Sequence, residues 1–100
     1  MSIREELTRD RRLVILRILV EAGGSANESV LHNSVRAAGH RIGVTREVII
    51  EDIDYLKSCG CVKVEWFKDV VVVATITKRG VAVAEGHIEV EGIKRPRLGD

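Results

Sequence analysis

Apolar side chains in the first third of the chain recur at helical spacing. Leu7, Val14, Ile18 and Ala22 fall near one face of a helix, and Ser2 with Glu5 three residues later makes a capping-box pattern, so the spacing predicts a helix over residues 3–22. Leu13, Leu16 and Val20, with Ile15 and Leu19, widen that face, which predicts cover on more than one side. Arg4, Arg9, Arg11, Arg12 and Arg17 take the remainder, and Gly23 and Gly24 stop the helix. A second stripe, Leu31, Val35 and Ala38, follows Ser25 or Asn27 as the cap, with Glu28 near the positive end and Gly39 as the stop. The connection His40 to Val44 is short, as a helix-turn-helix requires, and Ile42 is expected to plug its corner.

The stretch from Val44 to Ile76 carries the densest signals. Thr45 is a good N-cap, and Val44 before it can staple onto Ile49. Ile49, Ile53 and Leu56 form the centre of a buried face with Val48 and Cys59 at its margin, and Gly60 closes this third helix. Asp52 falls on the buried side and needs a partner, for which an arginine of the first helix is the candidate. Val62, Val64 and Trp66 then alternate with Lys63, Glu65 and Phe67, predicting a strand. Lys68 and Asp69 turn the chain into a return strand, Val70 to Ile76, that is apolar on both faces apart from Thr75 and so should be covered on its second face. Thr77 caps a short fourth helix in which Val81 and Ala84 pack inward, Gly80 permits close approach to the sheet, and Gly86 is the stop.

This order predicts an α+β fold: a winged helix-turn-helix of three helices, a two-stranded β-hairpin wing and a short C-terminal helix. The domain is expected to span 1–86, with a flexible basic tail over 87–100 in which Lys94, Arg95 and Arg97 surround Pro96. The 100 residues, 45% apolar and with a single proline, suit one domain with a real core.

Charge complicates the functional reading. The formal net charge is only +1, so attraction to nucleic acid has to come from a local patch. The run Leu13 to Val20 is short and broken by Arg17, which predicts no membrane span and a cytoplasmic protein. Catalysis has no foothold: His32, His40 and His87 are scattered, and no HExxH, CxxC or glycine-rich phosphate loop occurs. Cys59 and Cys61 read as small apolar residues at a helix end and a strand start. No metal or cofactor is expected.

Two binding readings follow. A recognition helix presents its N-terminal residues to bases, so for double-stranded DNA the readers would be Thr45, Arg46 and Ile50. Lys57 lies on the same edge, His40 and Arg41 are near phosphates, and Lys68, Lys94, Arg95 and Arg97 add backbone contacts. Against it, the third helix carries four acids to two bases, and Glu47, Glu51 and Asp54 form a row that opposes phosphate. A homodimer is expected, and the alternative to DNA is a protein-interaction module, an adaptor for a phage or host protein that uses the same fold without binding DNA. For dimer and adaptor alike Phe67, Val71 and Val73, on the outer side of the hairpin, form the interface.

The segments IREELTRDRRLVILRIL, SANESVL, TREVIIEDIDYLKSCG and ATITKRGVAVAEG, and the tail IKRPR, resemble small proteins encoded by Mu-like bacteriophages and prophages, over nearly the whole chain and in the same order. Those proteins look like winged-helix domains, similar in outline to ArsR-type regulators, and no assigned activity comes with them. The resemblance implies the fold and a phage context, and it transfers no catalytic or ligand residue. ArsR-like metal sensors use a cysteine pair on a helix, whereas Cys59 and Cys61 straddle the Gly60 stop.

Overall fold

Each helix of the computed structural model begins at a side-chain cap read directly from the sequence. Residues 1–97 are described. Ser2 accepts from the Glu5 N–H to open α1 (Ile3–Glu21), and Asn27 accepts from Val30 to open α2 (Glu28–Ala37). Thr45 accepts from Val48 to open α3 (Arg46–Ser58), and Thr77 accepts from Gly80 to open α4 (Lys78–Ala84). Each cap satisfies a backbone donor that the first helical turn leaves unpaired.

The sheet differs from the expected two-stranded wing. It has three antiparallel strands in the order β1-β3-β2, where β1 is Ser25–Asn27, β2 is Val62–Phe67 and β3 is Val71–Ile76. Ser25 pairs with Thr75 and Asn27 with Val73, so β3 is central, which accounts for its apolar composition. The strand β1 ends where α2 begins, and the Glu28 carboxylate takes over as acceptor: its Oε2 receives the Val72 N–H at 2.9 Å. Val70, expected in the return strand, belongs to the turn and donates to the Phe67 carbonyl. Lys68 (φ 52°) and Asp69 (φ 56°) are both left-handed, as a type I′ hairpin turn demands.

The core lies between the helices and the inner sheet face: Leu13, Ile15, Leu16 and Leu19 of α1, Leu31 and Val35 of α2, Ile49, Ile53 and Leu56 of α3, with Val62, Val72 and Ala74. The α3 face is as expected; other positions are corrected. Ile42 is 99% exposed, and Val44, the staple residue, is buried instead. In α1 the buried stripe is the 13-15-16-19 set, while Leu7 is exposed and Val14 and Ile18 are only partly buried. In α4 Val83 is the fully buried valine, and a Cβ on Gly80 would collide with the Cys61 carbonyl.

The segment after α4 is also corrected. Residues 87–97, expected as a free basic tail, lie along α1 and the C-terminal half of α3. Ile93 is 1% exposed, the Lys94 N–H donates to the Arg9 carbonyl at 3.1 Å, and the Tyr55 hydroxyl donates to the Glu91 carbonyl at 2.7 Å. Ile93, with Ile88 and Val90 packed partly buried against the core, and three backbone contacts, counting Arg12 to the Gly92 carbonyl, hold it there. Residues 98–100, the end of the expected tail, lie outside the described residues.

Candidate functional site

The start of α3 is tied to the wing by one arginine. Arg46, the first residue of the helix, donates from Nε and Nη2 to Oε1 of Glu28 at 3.4 and 3.2 Å, and from Nη2 to the Val70 carbonyl at 2.8 Å. Glu28 is 5% exposed, so a buried carboxylate at the first turn of α2 joins β3, through Val72, to α3 and the wing turn. Arg46 Nη1 has no hydrogen-bond partner among the described residues. The charge pattern alone marked Arg46 as a surface reader. That Glu28 faces inward carried no signal, because an acid in a first helical turn is equally at home in solvent beside the helix dipole.

Around this joint the other sequence-predicted residues fall into separate groups. Thr45 is exposed, its hydroxyl oxygen engaged as the cap, and Lys57 and Lys68 are exposed at the last turn of α3 and at the wing tip. Ile50 is partly buried against the core. Arg41 donates from Nε to the Arg36 carbonyl at 3.3 Å, across the loop between α2 and α3. His40 in the same loop is 2.7 Å from Asp10 of α1. Lys94 also meets Asp10, at 3.4 Å, and Arg95 meets Glu89 at 3.6 Å, while Arg97 is exposed. Lys94 thus shares Asp10 of α1 with His40, and Arg95 pairs within its own segment; neither meets Arg46.

Glu47, Glu51 and Asp54 are exposed and have no ion pair among the described residues. Asp52 is different. It is buried, and Arg11 and Arg12 of α1 both bond its carboxylate, the partner that sequence reasoning required. Arg12 also stacks over Tyr55, 3.7 Å from the ring centroid, and donates to the Gly92 carbonyl at 3.0 Å.

On the outer face of the hairpin, Phe67 and Val71 pair across the strands, both exposed, and Val73 beside them is half-buried. Together with Val70 they make an apolar surface at the wing tip. Cys61 is fully buried. Desolvation pushes its thiol above the ordinary range, the neighbouring Cys59 adds to this, and Arg79 partly opposes it. Among the described residues no cluster of His, Cys, Asp and Glu has the makings of a metal site, and no helix is long and apolar enough to cross a membrane.

The chain is 47% identical over 95 residues to the uncharacterized protein gp26 of Escherichia phage Mu, a match spanning 95% of this chain and 96% of that one. It is 40% identical over 79 residues to an uncharacterized protein of Haemophilus influenzae, spanning 79% of this chain and 76% of the relative. Among solved structures, a winged-helix DNA-binding protein from STIV aligns with a TM-score of 0.59 at 23% identity, covering 73% of this chain and 77% of that one. At that identity the likeness speaks for the fold, a winged helix with four helices and a three-stranded sheet. No family profile matches the chain.

Proposed function

Starting from a chain that belongs to the family of small phage winged-helix proteins that includes gp26 of phage Mu, we propose that it acts by binding double-stranded DNA, as a regulatory module and not as an enzyme. The observation that carries the reading is the Arg46 contact to Val70, which joins the start of α3 to the wing turn so that helix and hairpin meet a duplex as one surface. In this reading Thr45 and the unpartnered Nη1 of Arg46 face base edges, Ile50 and Lys57 line the same edge, and Arg41 and Lys68 contact phosphates on either side. Lys94, Arg95 and Arg97 add a more distant basic contribution. Because Glu47, Glu51 and Asp54 repel phosphate, the helix docks tilted, by its N-terminal edge. The place of action is the cytoplasm of the bacterial host.

Fluorescence anisotropy with a random duplex at low salt tests this. Binding that weakens steeply with salt, and weakens further in Lys68→Ala without loss of fold, is the expected result. Absence of binding by the wild type, or indifference to Lys68→Ala, overturns it.

The exposed apolar wing surface favours a second reading, a module that docks on a phage or host protein, or on its own copy, through Phe67, Val71 and Val73. Replacing Phe67 with Ser distinguishes the two: loss of association with DNA affinity intact supports the protein partner.

A further inference from the structure

The strand β2 is an edge. With β3 lying between β1 and β2, one side of β2 has no strand against it among the described residues. The phase of the ladder is fixed by the contacts of β3 on its other side: Ile76 donates to Gly24 and Val72 to Glu28, so the even-numbered residues of β3 face β1 and the odd-numbered ones face β2. Their partners Lys63, Glu65 and Phe67 therefore point their backbone groups inward, and Val64 and Trp66 point theirs outward. Natural edges are commonly blunted by proline or by charged side chains, whose repulsion keeps strands of other chains away when the charges that meet are alike. This edge instead carries one charge of each sign, two residues apart on the same face. Lys63 and Glu65 are both exposed, and neither has an ion pair among the described residues.

A strand with that pattern complements itself under a two-fold axis. Outward-facing residues must pair with outward-facing residues, which leaves three registers near the middle of β2. Val62 opposite Val64 sets Lys63 against Lys63, and Val64 opposite Trp66 sets Glu65 against Glu65. Val64 opposite Val64 sets each Lys63 against a Glu65. We propose that a second copy of this chain docks antiparallel along the β2 edge, in the register that places Val64 opposite Val64 and flanks it with two Lys63–Glu65 pairs. The flanking pairs fall at non-hydrogen-bonded positions, where the backbones come closest, about 4.5 Å between Cα atoms, and side chains meet best. Trp66, 49% exposed and on the same face as Val64, gains cover from the second copy. Val62 is buried at 3% exposure and ends the ladder on each side, so the contact is short and the dimer weak. The contact does not depend on DNA.

Charge reversal tests the register. In sedimentation equilibrium at low salt, the wild type forms dimers at high micromolar concentration. Lys63→Glu and Glu65→Lys, made singly, each set like charges opposite one another and weaken the dimer by about tenfold. The double variant exchanges the signs and restores wild-type association. Circular dichroism confirms that each variant is folded, as both positions are exposed. A wild type that stays monomeric, single variants that dimerise like the wild type, or a double variant no better than the singles would each overturn the proposal.

Discussion

Arg46 Nη2 lies 3.2 Å from the carboxylate of Glu28 and 2.8 Å from the carbonyl of Val70. The residue proposed to read a base thus also fixes the wing. Removing it leaves Glu28 buried, with the Val72 N–H as its remaining partner. Arg46→Ala is expected to lower stability by about 1–3 kcal/mol, because it strands a buried charge. Faster hydrogen exchange at Val72, measured by NMR against the slower amides of α1, checks whether the wing loosens with it. A loss of DNA affinity in this variant mixes two causes, and Lys68→Ala at the wing tip separates them.

Asp52 shows the same chemistry deeper in the molecule. It is 1% exposed and held by two guanidinium groups of α1, so Asp52→Ala leaves Arg11 and Arg12 facing each other without their anion. A loss of about 3–5 kcal/mol is expected, read from urea unfolding followed by Trp66 fluorescence. A loss below 1 kcal/mol would mean that water replaces the carboxylate and that the site is less closed than its burial implies.

Much of the fold was legible because its boundaries are marked by residues whose chemistry is local. Ser2, Asn27, Thr45 and Thr77 cap helices, and Gly23, Gly39, Gly60 and Gly86 stop them at positive φ. The misses are places where the signal is not local. Ser25–Asn27 is too short for alternation to show and becomes a strand only because the β3 edge is available. Ile42 and Val44 are both apolar in a short loop, and only the packed geometry selects Val44. Ile88, Val90 and Ile93 keep no single period across Gly92, so the burial of Ile93 could not be read from periodicity. The candidate site divides in the same way. Asp52 announced its need for a partner by lying on an apolar face, whereas Glu28 gave no such sign.

The docking of residues 87–97 depends on Gly92. Its φ is +86°, and a Cβ there would strike the hydroxyl and ring of Tyr55. Gly92→Ala is therefore expected to displace the segment and uncover Ile93, at a cost of about 2–4 kcal/mol. Limited proteolysis on the C-terminal side of Val90 should accelerate. Tyr55→Phe in the same background removes the hydroxyl clash together with the hydrogen bond to Glu91, so Tyr55→Phe alone serves as the control, and a double variant less impaired than the two single losses combined marks the steric cause.

The two cysteines should behave differently despite being two residues apart. Burial holds Cys61 as a neutral thiol and raises its pKa, while Cys59 is partly exposed. An alkylating reagent at neutral pH should modify Cys59 and leave Cys61 untouched until the chain unfolds. The raised pKa also has a stability consequence. Below the ordinary thiol value, about 8.5, both folded and unfolded chains carry the proton and the contribution of Cys61 is complete. As pH rises through that value the unfolded chain releases its proton first, and stability falls until the folded thiol also ionises. Unfolding midpoints should therefore drop on the alkaline side more steeply in the wild type than in Cys61→Ala, whose lower overall stability lacks this dependence. Parallel slopes for the two proteins would show that Cys61 is not the group responsible.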